Sequence, residues 1–159
     1  MKRETLFLKT AVVLIGIPIL ALCVIVLPWI LRDASTSSAK MTTVLYGIVT
    51  VMYVTAIPFF LALYQAFKLL TYIDLNNAFS DQSVKALKNI KHYAAAISIL
   101  YLLSMPLFYI VGEVDDAPGV ILVGAAFVFG PLVVSVFAAV LQKLLQNAID
   151  MKQENDLTI

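Results

Sequence analysis

This chain has little charge. Only 13% of its 159 residues are Asp, Glu, Lys or Arg, against 62% apolar, a balance far from that of soluble domains. No Asp, Glu, Lys, Arg or His falls deep inside any of its four long apolar runs. Ion-coupled transport and intramembrane proton relays place ionisable groups there, where only a functional need offsets the desolvation cost, so coupled transport is disfavoured. The single Cys23 excludes an internal disulfide framework and a Cys-based metal site; inside an apolar run it reads as a small packing residue. The single His92 stands beside Lys91 and Tyr93 with no carboxylate cluster, nucleophile or base at a recognisable spacing, which makes neither a zinc site nor a catalytic pair. Glu113, Asp115 and Asp116 lack the calcium-loop spacing and read as a solvated acidic turn. No catalytic residue, cofactor or metal is expected, and an enzyme is the least favoured class.

What is present is length of apolar sequence. A helix needs about 20 apolar residues to cross about 30 Å of hydrocarbon, and four charge-free runs meet this: Thr10 to Leu31, Met41 to Phe67, Tyr93 to Gly112 and Ala117 to Gln142. The expected fold is all-α, one membrane domain over residues 1–159, a four-helix transmembrane bundle with spans at about 10–31, 44–67, 93–112 and 119–142. The first run exceeds the roughly 7 to 15 residues of a signal-peptide core and carries Pro18 and Pro28, so it reads as a retained span despite the small residues Ser37 to Ala39. Lys2, Arg3, Lys9, Lys68, Lys85, Lys88, Lys91, Lys143 and Lys152 flank one side of these spans, and only Arg32 and Lys40 the other. The positive-inside rule then makes both termini, the loop 68–92 and the tail 143–159 cytoplasmic.

Trp29 suits the outer headgroup boundary, and the following DASTSSAK reads as a flexible tether. Gly112 is the expected left-handed terminator of span three. Gly124 and the Ala126–Gly130 pair would permit close approach of another helix, and Thr50, Thr55, Ser98, Ser104 and Ser135 are expected to hydrogen-bond between helices. Every span contains proline: Pro18 and Pro28, Pro58, Pro106, Pro131. Each removes a donor and crowds the carbonyl one turn back, so each span should bend or unwind locally. Such breaks serve substrate binding in transporters, although packing kinks are the plainer reading.

The longest polar stretch between the outer runs is Thr71 to Lys91. Asn76, Asn77, Ser80 and Asp81 favour a turn, with Ser80 as N-cap and Asp81 at the positive end of the helix dipole. Beyond the cap, Val84, Leu87 and Ile90 set an apolar stripe against Lys85, Lys88 and Lys91, which predicts a cytoplasmic interfacial helix between spans two and three, bending into span three. The lysines suit anionic headgroups or, with Val84 and Leu87 as apolar anchors, a docked protein. A nucleic acid finds no groove-reading element here. After Lys143 a tail helix, with Leu141, Leu144, Leu145, Ala148 and Met151 on one side, is placed to pack on the interfacial helix or on the extension from span two.

At NNAFSDQSVKALKNI and the terminal ENDLTI the chain resembles the bacterial domain-of-unknown-function family 2975 of small four-span membrane proteins. The matching positions are Phe79, Ser80, Val84 and Leu87, then Glu154, Asp156, Leu157 and Thr158; Asn77 and Ala78 stand where the family commonly has Gly or Pro. The resemblance implies a multi-pass protein of the bacterial inner membrane, with a small Cro-type helix-turn-helix regulator as partner and no catalytic residue. The expected function is non-enzymatic binding of such a partner through Phe79, Ser80, Val84, Lys85, Leu87, Lys88 and Leu157, with the bilayer as the other contact and a homo-oligomer as a further option. The alternative is a small transporter, channel or self-immunity protein that uses the proline-bent spans.

Overall fold

The computed structural model describes residues 2–34 and 39–157, all helical apart from two tight connections. The first span comprises α1 (Lys2–Ala21), a π-helical segment (Leu22–Val26) and α2 (Leu27–Ala34); α3 (Ala39–Asp74), α4 (Asp81–Val114) and α5 (Gly119–Leu157) follow. Residues 35–38 of the expected tether, and Thr158 and Ile159 of the terminal motif, lie outside the described residues. Four helices are long and apolar enough to cross a membrane. At about 1.5 Å per residue, the 39 residues of α5 extend well past a hydrocarbon core of about 30 Å.

The helices pack in chain order. The first span lies on α3, α3 on α4, and α4 on α5, while α1 and α5 make no extensive contact with each other. The core therefore sits around α4: Met41, Val44 and Ile48 of α3, Ile97, Tyr101, Phe108 and Val111 of α4, and Val128 of α5 form one buried cluster. Tyr101 stacks on Phe127 at 5.1 Å between ring centres. Gly124 lets α5 pack closely on α4: a Cβ there would stand 3.0 Å from Cγ of Phe108. Gly130, by contrast, faces open space and Ala126 is exposed, so the expected small-residue pair looks outward and takes no part in this packing.

Three of the five expected hydroxyls join helices. Thr55 pairs with the Tyr101 hydroxyl at 2.9 Å, Ser98 donates to the Val128 carbonyl at 2.7 Å, and Ser135 to the Lys91 carbonyl at 2.9 Å. Thr50 and Ser104 instead bond carbonyls of their own helices.

Two expectations about helix boundaries need correction. The interfacial helix is not a separate element, because α4 is continuous from Asp81 through the apolar run to Val114. Nor does Gly112 end α4. The left-handed residue is Asp116, with φ of 50°; its N–H donates to Glu113 O at 3.4 Å and that of Ala117 to Gly112 O at 2.8 Å, the bonding of a Schellman cap. Gly112 serves close approach instead: its Cβ would meet Ile121 at 3.1 Å.

Prolines Pro58, Pro106 and Pro131 lie inside uninterrupted α-helix. Among the described helices the backbone departs from the α pattern only in the first span, between Pro18 and Pro28. There the Leu27 N–H reaches back to Leu22 O, five residues away, and Pro28, which has no N–H, would be the next donor in that register. The Cys23 carbonyl loses its backbone donor and accepts the Tyr53 hydroxyl of α3 at 2.8 Å. Replacing Tyr53 by Phe removes an interhelical hydrogen bond worth about 1 kcal/mol. In a Pro28→Ala background, where a backbone N–H is restored, the same change has little effect. Unfolding the single and double variants in detergent micelles, followed by circular dichroism, gives the cycle.

Candidate functional site

Two places concentrate features beyond plain packing: the α3–α4 turn and a cavity among the helices. At the turn, α3 ends on a second Schellman cap. Asn76 takes φ of 58°, a conformation Asn tolerates better than most residues; its N–H donates to Ile73 O at 3.1 Å and that of Asn77 to Tyr72 O at 2.8 Å. Ser80 then caps α4 as expected, extended at φ −140° and ψ 158°, its Oγ accepting from the Ser83 N–H at 3.3 Å. The hydroxyls of Ser80 and Ser83 both donate to the Asn77 carbonyl, at 2.7 and 3.2 Å, and the Asn77 side-chain amide donates to Gln82 at 3.1 Å. Ser83, where a capping-box Glu would have strengthened the cap, is fully buried, and a longer acid would not fit. Backbone and side-chain bonds thus hold the chain from Tyr72 to Ser83 in one shape.

That shape presents two apolar side chains outward, Leu75 (70% exposed) and Phe79 (59% exposed). Lys85 and Lys88 are exposed on the first turns of α4, Val84 is half-buried, and His92 is exposed. Leu87 is buried together with Ala86. The Val84–Leu87 stripe therefore turns toward the bundle, and Leu87 cannot act as a surface anchor. On the tail, Leu145 and Ala148 of the expected apolar side are half-buried and Leu141, Leu144 and Met151 are exposed, while Ile149, outside that set, is buried. The antiparallel pairing seen at Ser98–Val128 and Lys91–Ser135, continued along α5, sets Ile149 level with the α3–α4 turn. Leu157, at the end of α5, is exposed. Leu75 was not singled out from the sequence, although its place at the junction of an apolar run and Asn76 was a signal for it.

The first span is tied down near the same end. Lys9 Nζ lies 3.1 Å from the Asp74 carboxylate of α3 and 5.1 Å from the centre of the Phe67 ring. Both partners of the ion pair are mostly buried, which strengthens it relative to a surface pair.

The cavity, of about 540 Å³, is lined by all four spans, including Cys23, Ala56, Ala62, Ala94, Ile97 and Pro131. Its polar lining comprises the Cys23 thiol and the Thr55–Tyr101 pair. The Thr55 hydroxyl also reaches Met52 O at 3.0 Å; with one proton to give, it donates there and accepts from Tyr101. Both hydroxyls are thus satisfied within the protein. No Asp, Glu, Lys, Arg or His lines the cavity, and among the described residues no group of three or more His, Cys, Asp or Glu is placed to hold a metal ion.

The profile of the family described as "Protein of unknown function (DUF2975)" matches residues 29–159. The chain is 55% identical over 158 residues, 99% of each chain, to the "Uncharacterized membrane protein YoaS" of Bacillus subtilis (strain 168). No solved structure matches. The resemblance read from the Phe79–Leu87 and Glu154–Thr158 motifs is borne out, and the membrane assignment with it.

The turn's rigidity has a direct test. Ser80→Ala removes the cap acceptor and costs about 1 kcal/mol of stability, whereas Ser80→Asp keeps most of it. Thermal unfolding of purified protein in detergent, followed by circular dichroism, distinguishes the two.

Proposed function

Because the chain belongs to the family described as "Protein of unknown function (DUF2975)", we propose that it is a non-enzymatic membrane protein that binds a partner at its α3–α4 turn. The observation that carries this reading is Phe79, 59% exposed on a turn held by cap bonds on both sides. A pre-ordered aromatic loses little conformational freedom on binding, and such residues anchor interfaces. Leu75 extends the apolar contact, and Lys85 and Lys88 bias it toward an acidic surface. Leu157 lies at the end of the α5 tail as a further contact.

In this reading the turn and both termini face the cytoplasm of a bacterial cell, as the lysine distribution favours. The partner is a small helix-turn-helix regulator, the class that the family resemblance suggests. Holding such a protein at the membrane controls how much of it reaches DNA.

A second reading, a small transporter, channel or immunity protein, is favoured by the cavity. Its lining without acid or base confines it to neutral solutes or apolar groups.

Affinity purification from mild detergent tests the first reading. Co-purification of a helix-turn-helix protein that is lost with Phe79→Asp, and weakened by Lys85→Glu with Lys88→Glu, is the expected result. Recovery of the same proteins by parent and Phe79→Asp overturns it. Solute flux or toxin resistance sensitive to Pro131, but not to Phe79, favours the second reading.

A further inference from the structure

We infer that the inter-helix cavity is a slot for a single acyl chain of a bilayer lipid, a site independent of the partner reading at the α3–α4 turn. Its walls reach from Met52 to Ala66 on α3, from Ile90 to Tyr101 on α4 and from Phe127 to Val134 on α5. The α3 and α5 walls lie wholly within charge-free sequence, and so does most of the α4 wall, which puts the slot at hydrocarbon depth. α1 and α5 both line it without packing extensively on each other, so it opens between them toward lipid.

Shape decides what fills it. Fourteen helical steps from Met52 to Ala66 give a length of about 21 Å. A volume of about 540 Å³ spread along that length makes a slot narrower than the 10–12 Å or so of a helix with its side chains. A helix of a second copy can lie across the mouth but cannot enter, whereas an extended hydrocarbon chain can. Chemistry points the same way. The Thr55–Tyr101 pair has its donors used internally, so apart from the weakly donating Cys23 thiol the slot offers no hydrogen-bond donor to a polar solute and no charge to an ion. An empty apolar slot of this size would forgo dispersion contacts along its whole wall, and in a bilayer the acyl chain is the apolar filler at hand. At the Ala66–Ile90 end a lipid headgroup would emerge on the side of Lys91, the sign that suits a phosphate; Lys9 on that side is already paired with Asp74.

Photo-labelling in vesicles tests this. The full chain is reconstituted in phosphatidylethanolamine and phosphatidylglycerol carrying a fraction of phospholipid with a mid-chain diazirine, and the adducts are mapped by mass spectrometry. Adducts concentrated on the slot wall, around Ala56, Ala62, Ala94 and Ile97, are expected. Ala62→Phe, which fills the slot, should remove them, and Ala126→Phe, which adds the same bulk on an exposed face, should leave them unchanged. Adducts confined to outward residues of the unsubstituted protein overturn the proposal, whether or not Ala62→Phe folds. So does equal slot labelling of the two variants.

Discussion

The rest of the structure depends on one constraint: in hydrocarbon, a backbone carbonyl without a donor has no water to turn to. Proline creates such carbonyls, and every span contains one. In the first span the π-helical segment and Pro28 together strand the Cys23 carbonyl, and a tyrosine from the next helix bonds it. In α5, Pro131 withdraws the donor that would serve Phe127, and the carbonyl of the following residue, Val128, accepts the Ser98 hydroxyl of α4. Ser135 bonds the Lys91 carbonyl across the same interface. Hydroxyls thus reinforce the joints between neighbouring helices, and at two of these joints the joint lies beside a proline.

How much of this was legible in the sequence follows from where polarity contrasts exist. The spans were legible because about 20 apolar residues without charge have one physical use. The Ser80 cap was legible because its acceptor acts within a few residues. Burial was not, because helices apolar on every side carry no periodic signal for the face they bury. Leu87 shows the limit: lysines on one side and Val84, Leu87 and Ile90 on the other made an amphipathic stripe, which fits a membrane surface, a docked protein or the inside of a bundle equally well. Only packing against the other helices selected the last.

Helix ends show the same division. Gly112 was the expected terminator because glycine enters the left-handed region most freely. The structure uses Asn76 and Asp116 there instead. Both stand at solvated connections, where a polar side chain tolerates that backbone, so glycine is released to places where only its size matters. Gly112 and Gly124 are such places, each facing a side chain at about 3 Å from where a Cβ would stand. Gly130 is not, and the small-residue spacing that seemed to pair it with Ala126 is a by-product of apolar composition.

The first span is the element least determined by packing. Only 6% of its most apolar window is buried, against 39% in α4, and it contacts α3 alone to any extent. Leu27 is fully buried near one end, and among the span's widely spaced polar ties are the Lys9–Asp74 ion pair at the other end and the Tyr53–Cys23 bond toward the middle. Between these two points lies the stretch from Ile19 to Cys23 that walls the cavity. A helix held by a few such ties, with a close approach at Gly16 to Leu63 and little burial elsewhere along its most apolar window, leaves space without losing its place. The cavity therefore follows from how α1 is held: had α1 been held by a continuous apolar interface, its side chains would fill that space, and the four spans would close into a solid bundle.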